Sequence, residues 1–142
     1  MARYSQAFKL TGTTAGTPIL ELIGGAGSRA RLIEFGDCAI TQVTAEFGLG
    51  YAAAVGITPT SPIQFLSEQD NSTLAVTSAV AWVTPPTIPT YFYRRGFIPL
   101  AQDEMVWTWP AGSGLVLLPA TSLVLWNFIT GPGLEAWAVF EQ

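Results

Sequence analysis

Few side chains in this sequence belong to the types that do chemistry. No histidine occurs and Cys38 is the only cysteine, so imidazole acid/base catalysis, disulfide frameworks and zinc clusters are absent together. Carboxylates come in three close pairs: Glu34 with Asp37, Glu68 with Asp70, and Asp103 with Glu104. Such pairs serve glycoside hydrolysis or bind calcium. Asp103 and Glu104, being adjacent, would point to opposite faces of an extended segment, and Glu68-Gln69-Asp70-Asn71 lacks the spacing of a calcium loop. Each pair reads as solvated loop charge. Cys38 has no His, Lys or second Cys near it in sequence and reads as a buried structural thiol. No catalytic residue, metal ligand or cofactor site is expected, and the chain is not expected to be an enzyme.

Two motifs match known signatures. Gly25-Ala26-Gly27-Ser28-Arg29-Ala30 fits the Ala-ended dinucleotide fingerprint, with Glu46 downstream at about the right distance. That fingerprint needs a helix to open at its third position, yet Arg31-Leu32-Ile33-Glu34-Phe35-Gly36 is strand-like and soon broken by glycine. A hairpin turn is the better reading. The sequon Asn71-Ser72-Thr73 likewise reads as a turn, because no apolar signal region follows Arg3 and Lys9.

Aromatic side chains are the remaining candidates. Five tryptophans and four tyrosines could build a sugar-stacking platform, but Trp82, Trp107, Trp109 and Trp126 lie inside strand-like runs, where aromatics fill core or interface first. Tyr91-Phe92-Tyr93-Arg94-Arg95 is the densest aromatic and basic patch. It suits an acidic partner surface, or glutamates within an oligomer.

The elements that must hold these residues are strands. A chain of 142 residues and 15.2 kDa is one domain. Hydrophobic residues make up 49% and charged residues 11%, against about 25% charged in an average soluble domain, so disorder is excluded. The mean hydropathy of +0.38 raises the question of a membrane, but Gly, Pro, Ser or Thr interrupts each apolar run before the roughly 20 residues of a spanning helix. Six basic against ten acidic residues, net −4, argue against a nucleic-acid partner. Tyr4, Phe8 and Leu10 alternate with Ser5, Ala7, Lys9 and Thr11; Met105, Trp107 and Trp109 alternate with Val106 and Thr108.

Turn clusters divide the chain into about eight to ten strands: 4–13, 17–24, 29–43, 46–56, 74–83, 90–98, 104–110, 115–118, 122–130 and 134–141. The expected fold is all-β, a two-sheet antiparallel sandwich or jelly roll spanning 17–142, with 1–16 as an extended N-terminal arm or first strand. The Pro- and Ser-rich stretch 58–73 reads as one long excursion within the domain. In Leu123–Ile129, both faces are apolar, Leu123, Leu125 and Ile129 on one and Val124, Trp126 and Phe128 on the other. Trp137 and Val139 repeat the pattern against Ala136, Ala138 and Phe140. One face fills a core; the other needs cover, and contact with sister copies supplies it most economically. Trp126, Phe128 and Trp137, with Tyr91, Tyr93, Arg94 and Arg95, are the expected subunit contacts.

Several stretches carry a resemblance: Met1 to Lys9, Phe47-Gly48-Leu49-Gly50, Ala54-Val55-Gly56-Ile57-Thr58-Pro59-Thr60, Tyr93-Arg94-Arg95, and Leu115–Ala120 followed by Ser122–Asn127. The chain resembles small virion proteins of tailed bacteriophages, which are often jelly rolls sitting as trimers on the capsid. The resemblance implies a head decoration protein: a homotrimer bound to the major capsid protein on the head surface, assembled in the host cytoplasm. It would take no cofactor, nucleic acid or membrane, and Tyr4, Phe8 and Lys9 would carry arm contacts to the capsid or a neighbouring subunit. The alternative is a receptor- or carbohydrate-binding jelly-roll module of a tail or fibre.

Overall fold

Period-two alternation sets most of the strands. The computed structural model describes residues 1–11, 14–40, 43–59, 62–99, 103–131 and 133–142. Its strands are β1 (Arg3–Leu10), β2 (Thr17–Gly24), β3 (Ala30–Ala39), β4 (Ala45–Tyr51), β5 (Ile57–Pro59), β6 (Ile63–Ser67), β7 (Thr73–Ala79), β8 (Trp82–Thr84), β9 (Arg94–Ile98), β10 (Glu104–Thr108), β11 (Leu115–Leu117), β12 (Ser122–Asn127) and β13 (Leu134–Glu141). One 11-stranded sheet runs β10-β3-β13-β1-β6-β7-β2-β12-β4-β9, with β11 also on β3, while β5 and β8 form a two-stranded flap. Every pairing is antiparallel. The fold is all-β, of sandwich or jelly-roll class, and its large sheet curls until it is nearly barrel-shaped.

Inward-facing side chains from all parts of this curl make one core. Phe35, Phe47, Phe65, Phe140, Leu123 and Leu125 are fully buried there. The register shifts between Val139 and Phe140, so Leu32 and Phe35, three residues apart on β3, both face inward. Beyond the shift the alternation is regular, and Asp37 falls on the inner face between Phe35 and Ala39.

The two end strands of the curl, β9 and β10, approach to within 8 Å between Cα atoms, and no ladder joins them among the described residues. Side chains close this seam instead. A Cβ on Gly96 of β9 would lie 2.0 Å from Met105 Cε and 3.1 Å from Trp107 Cζ2, so β10's inward side chains occupy the space a side chain at 96 would need. Further along, the Arg94 guanidinium lies 5.1 Å from the Trp109 ring centroid. At the same end the Tyr51 hydroxyl donates to the Val116 carbonyl at 2.6 Å, tying β4 to β11.

Several expectations are corrected by these contacts. Of the two readings of the N-terminal stretch, residues 3–10 form the first strand and not a free arm: β1 is paired along its whole length with β13 and in part with β6, and Phe8 is buried in the core. Phe8 can reach a partner only if β1 leaves the sheet. Tyr4 also packs against the core, and of the three arm residues Lys9 alone is exposed. The stretch 58–73 contributes β6, an internal strand, and the 74–83 segment divides into β7 and β8. Within 58–73, residues 60 and 61 lie outside the described residues. Asp37 is not solvated loop charge but a fully buried carboxyl. Cys38, expected to be buried, is half-buried on the outer face.

The second apolar face of β12 is covered by the chain itself. Gly48 and Gly50 of β4 sit opposite Trp126 and Val124. Their lack of side chains admits the segment 85–93: a Cβ on Gly48 would meet the Phe92 and Phe128 rings, and one on Gly50 the Tyr91 carbonyl and Pro89. Thr87 N–H donates to the Ala54 carbonyl, and the Thr87 hydroxyl accepts from Ala54 N–H, fixing the segment. Trp126 and Val124 are buried in consequence, and Trp126 is not free to line a subunit contact. On β13, Trp137 lies flat over Gly36 of β3 and its Nε1 donates to Glu34 Oε1 at 2.7 Å. The accessible surface of 7017 Å² matches the roughly 7100 Å² expected of a free-standing chain of this mass.

The β5/β8 flap is held by one buried carboxylate. Glu21 accepts from Gly56 N–H at 2.9 Å and from Trp82 Nε1 at 2.6 Å. The Glu21→Ala substitution strands both donors, and it is expected to cost about 2 kcal/mol in chemical denaturation and to raise acrylamide quenching of Trp82. Unchanged quenching would mean that the flap stays down without this carboxylate.

Candidate functional site

Five of the seven residues expected at a subunit contact come together at one end of β9. The segment leading into β9 turns back along β4 through Tyr93 N–H, which donates to the Leu49 carbonyl at 2.9 Å. Tyr91 is 66% exposed and Tyr93 42%. Their rings meet edge to face at 5.1 Å, and Tyr93 meets Tyr51 the same way at 5.5 Å. Burial, with Tyr93 nearby adding to it, pushes the Tyr51 hydroxyl up to about 12. Tyr51 therefore stays a neutral donor at ordinary pH and anchors the stack from beneath.

The two arginines diverge because β9 alternates. Arg94 turns to the inner side, over Trp109, and donates from Nη1 to the Tyr93 carbonyl at 3.0 Å. Arg95 turns outward, where it forms a 2.6 Å ion pair with Glu46 of β4 and lies 4.2 Å from the Phe128 ring centroid. Phe128 in turn meets Phe92 edge to face at 5.1 Å. The pair is half exposed, so its contribution to stability is small, below about 1 kcal/mol. Its effect is to hold the Arg95 fork in one position. Phe97, on the same outward face of β9, is 57% exposed.

The result is two aromatic and basic groups on the two sides of β9: Tyr91, Tyr93 and Arg94 on the side of Tyr51 and Trp109, and Arg95, Phe97 and Phe128 on the outer face. Trp137 belongs to the β13 side of the sheet, and Tyr4, Phe8 and Lys9 to β1, so none of these joins either group. Sequence reasoning missed Phe97, Tyr51 and the role of Glu46. Phe97 shares the parity of Arg95, a signal legible in the sequence; the partner of Arg95 is 49 residues away and is not.

The other candidates hold no joint geometry. Glu34 and Asp37 point to opposite faces of β3. Asp70 accepts from Ser72 N–H at 3.0 Å within an exposed turn, and hydrogen bonds from Ser72 hold its carboxyl below the usual range. Asn71, at φ 57°, makes that turn, as the sequence predicts for the sequon. Gly25–Ala30 is a turn between β2 and β3 with Gly27 at φ 77° and no helix after it, again as expected. No group of three or more His, Cys, Asp or Glu side chains that could hold a metal ion occurs among the described residues. Among the same residues no helix is long and apolar enough to cross a membrane.

No protein-family model, curated protein or solved structure matches the chain. The surface around β9 therefore has to be interpreted from its own chemistry.

Proposed function

We propose that the chain is a structural protein of a bacteriophage virion, a head decoration protein that binds the capsid exterior as a homo-oligomer, a trimer by the family resemblance. The observation that carries this reading is the cluster of exposed aromatic and arginine side chains around β9 on an all-β body. Tyr and Arg are the residue types that dominate protein–protein hot spots, because they bury large area at small entropy cost and retain a polar group for a partner. Here the rings are pre-ordered by edge contacts and Arg95 by its ion pair, which lowers the cost of binding further. The mechanism is clamping: three such surfaces on one trimer turn weak contacts into a durable one through high effective concentration. The tail or fibre sugar-binding alternative gains less support, since Tyr91 and Tyr93 stand nearly perpendicular and offer no flat platform for a sugar ring.

The test is re-binding to capsids stripped of this chain, measured by co-sedimentation. Wild-type protein is expected to saturate the shells. The double substitution Tyr91→Ala with Tyr93→Ala is expected to weaken binding at least about 30-fold, the equivalent of about 2 kcal/mol, with an unchanged circular dichroism spectrum. Binding to tails alone, or to no virion part, would overturn the proposal.

A further inference from the structure

Asp37 is the one carboxyl among the described residues that is buried with neither oxygen hydrogen-bonded. It lies in an inward row made by the register of four strands, Met105–Asp37–Ala136–Phe8. Along β3 its inward neighbours are Phe35 and Ala39. The charged groups of the elements packed against it all face elsewhere. Asp103 and Glu104 at β10 are exposed, Glu135 of β13 and Glu34 of β3 face outward, Lys9 of β1 faces outward opposite Glu135, Arg95 and Glu46 face outward beyond the seam, and Arg94, though inward, lies over Trp109, further along the seam than Met105. Among the described residues no cation is placed to pair with an Asp37 carboxylate.

Position gives this isolated group a mechanical consequence. Met105, its cross-strand partner on β10, is also the side chain that meets Gly96 and shuts the seam against β9. Among the described residues no backbone ladder backs up that closure. We infer that Asp37 is a latch on the seam: while neutral it leaves the Met105 contact dry, and when its proton passes to solvent the carboxylate draws water behind Met105, so that β10 parts from β9 and its ladder with β3 frays.

The direction of the pH response follows from where the proton is held. Burial pushes the Asp37 carboxyl up from the ordinary 3.8 to about 8 in the closed fold. Once β10 has parted, the carboxyl is wet and titrates near its ordinary value. The closed form therefore keeps a proton that the open form has released throughout the interval from about 4 to about 8. Closure is favoured most at the acid end of that interval and weakens as pH rises through it, and above about 8 both forms are ionised and the response levels off.

Native-state hydrogen exchange tests this, with intrinsic exchange rates divided out. In the parent chain the opening constant of the β10 amides is expected to rise about tenfold per pH unit between pH 5 and 7 and to flatten above 8, while the amides of β12 stay at least tenfold better protected. The Asp37→Asn variant is expected to show no slope. Should it fail to fold, Asp37→Ala carries no titrating group either and must behave the same way. Cys38→Ser, which removes the neighbouring thiol on the opposite face, is expected to keep the slope. The latch is overturned if the slope survives removal of Asp37, or if β10 and β12 open with the same constant at every pH, which is global unfolding. The experiment is independent of capsid binding.

Discussion

Replacing Trp107 by alanine is expected to cost about 4 kcal/mol in equilibrium denaturation, the usual range for truncating a buried aromatic. Trp107 is buried against Phe35, stacked at 5.9 Å, and against Phe47, edge-on at 6.0 Å. Phe35 belongs to β3 and Phe47 to β4, so one side chain from β10 bridges strands on both sides of the seam. Its removal takes away that bridge as well as apolar burial, and the rim left behind has no ladder to fall back on. Far-UV circular dichroism is the right probe, because the variant also lacks a fluorophore. Trp107→Phe is expected to recover more than half of the loss. A cost below about 1 kcal/mol for the alanine variant would mean that the seam is held by something other than this ring.

Gly36→Val is expected to cost about 3 kcal/mol, although valine is by far the better strand residue. A Cβ at 36 would stand 2.1 Å from Trp137 Cζ2, so the indole must leave. With it goes the Trp137–Glu34 hydrogen bond, a charge-assisted one of the kind worth about 1.5–3 kcal/mol. The ring also loses the flat floor that a glycine between Phe35 and Asp37 provides. A double-mutant cycle isolates the cause. If the ring is what valine displaces, Gly36→Val on a Trp137→Ala background should cost at least about 1 kcal/mol less than on the parent chain. Additive costs would place the damage in the β3 backbone instead.

Both substitutions act on places where one chain solves a problem that the sequence poses. β12 is apolar on both faces, and its outer face is covered by residues 85–93. The exposed apolar residues that remain around β9, Tyr91, Tyr93 and Phe97, are therefore fewer than the pattern of β12 suggests, and they flank two arginines. On the proposed function, the neighbourhood of β9, rather than the β12 or β13 face, is where a capsid or sister subunit would bind.

The local order of the chain was legible in the sequence. Alternation marked most of the strands, the glycine and proline clusters marked turns, and the lack of histidine removed the common metal and acid/base chemistries before any contact was known. Even the burial of Asp37 was legible, since it shares parity with Phe35 and Ala39 on β3, and there the period outweighs the charge. The short strands β5, β6 and β8 escaped because Pro and Ser surround them and pairing, not propensity, makes them strands. Other facts belong to the tertiary structure alone: β1 lies between β13 and β6, Gly48 and Gly50 admit a distant segment, Glu46 meets Arg95, and Met105 and Trp107 close a gap that no ladder among the described residues bridges. The reason is physical. A residue's periodicity reports which way its side chain points, a property of its immediate neighbours, whereas what it points at depends on which strand edges meet, and that is decided by the volumes and hydrogen bonds of residues far apart in the chain.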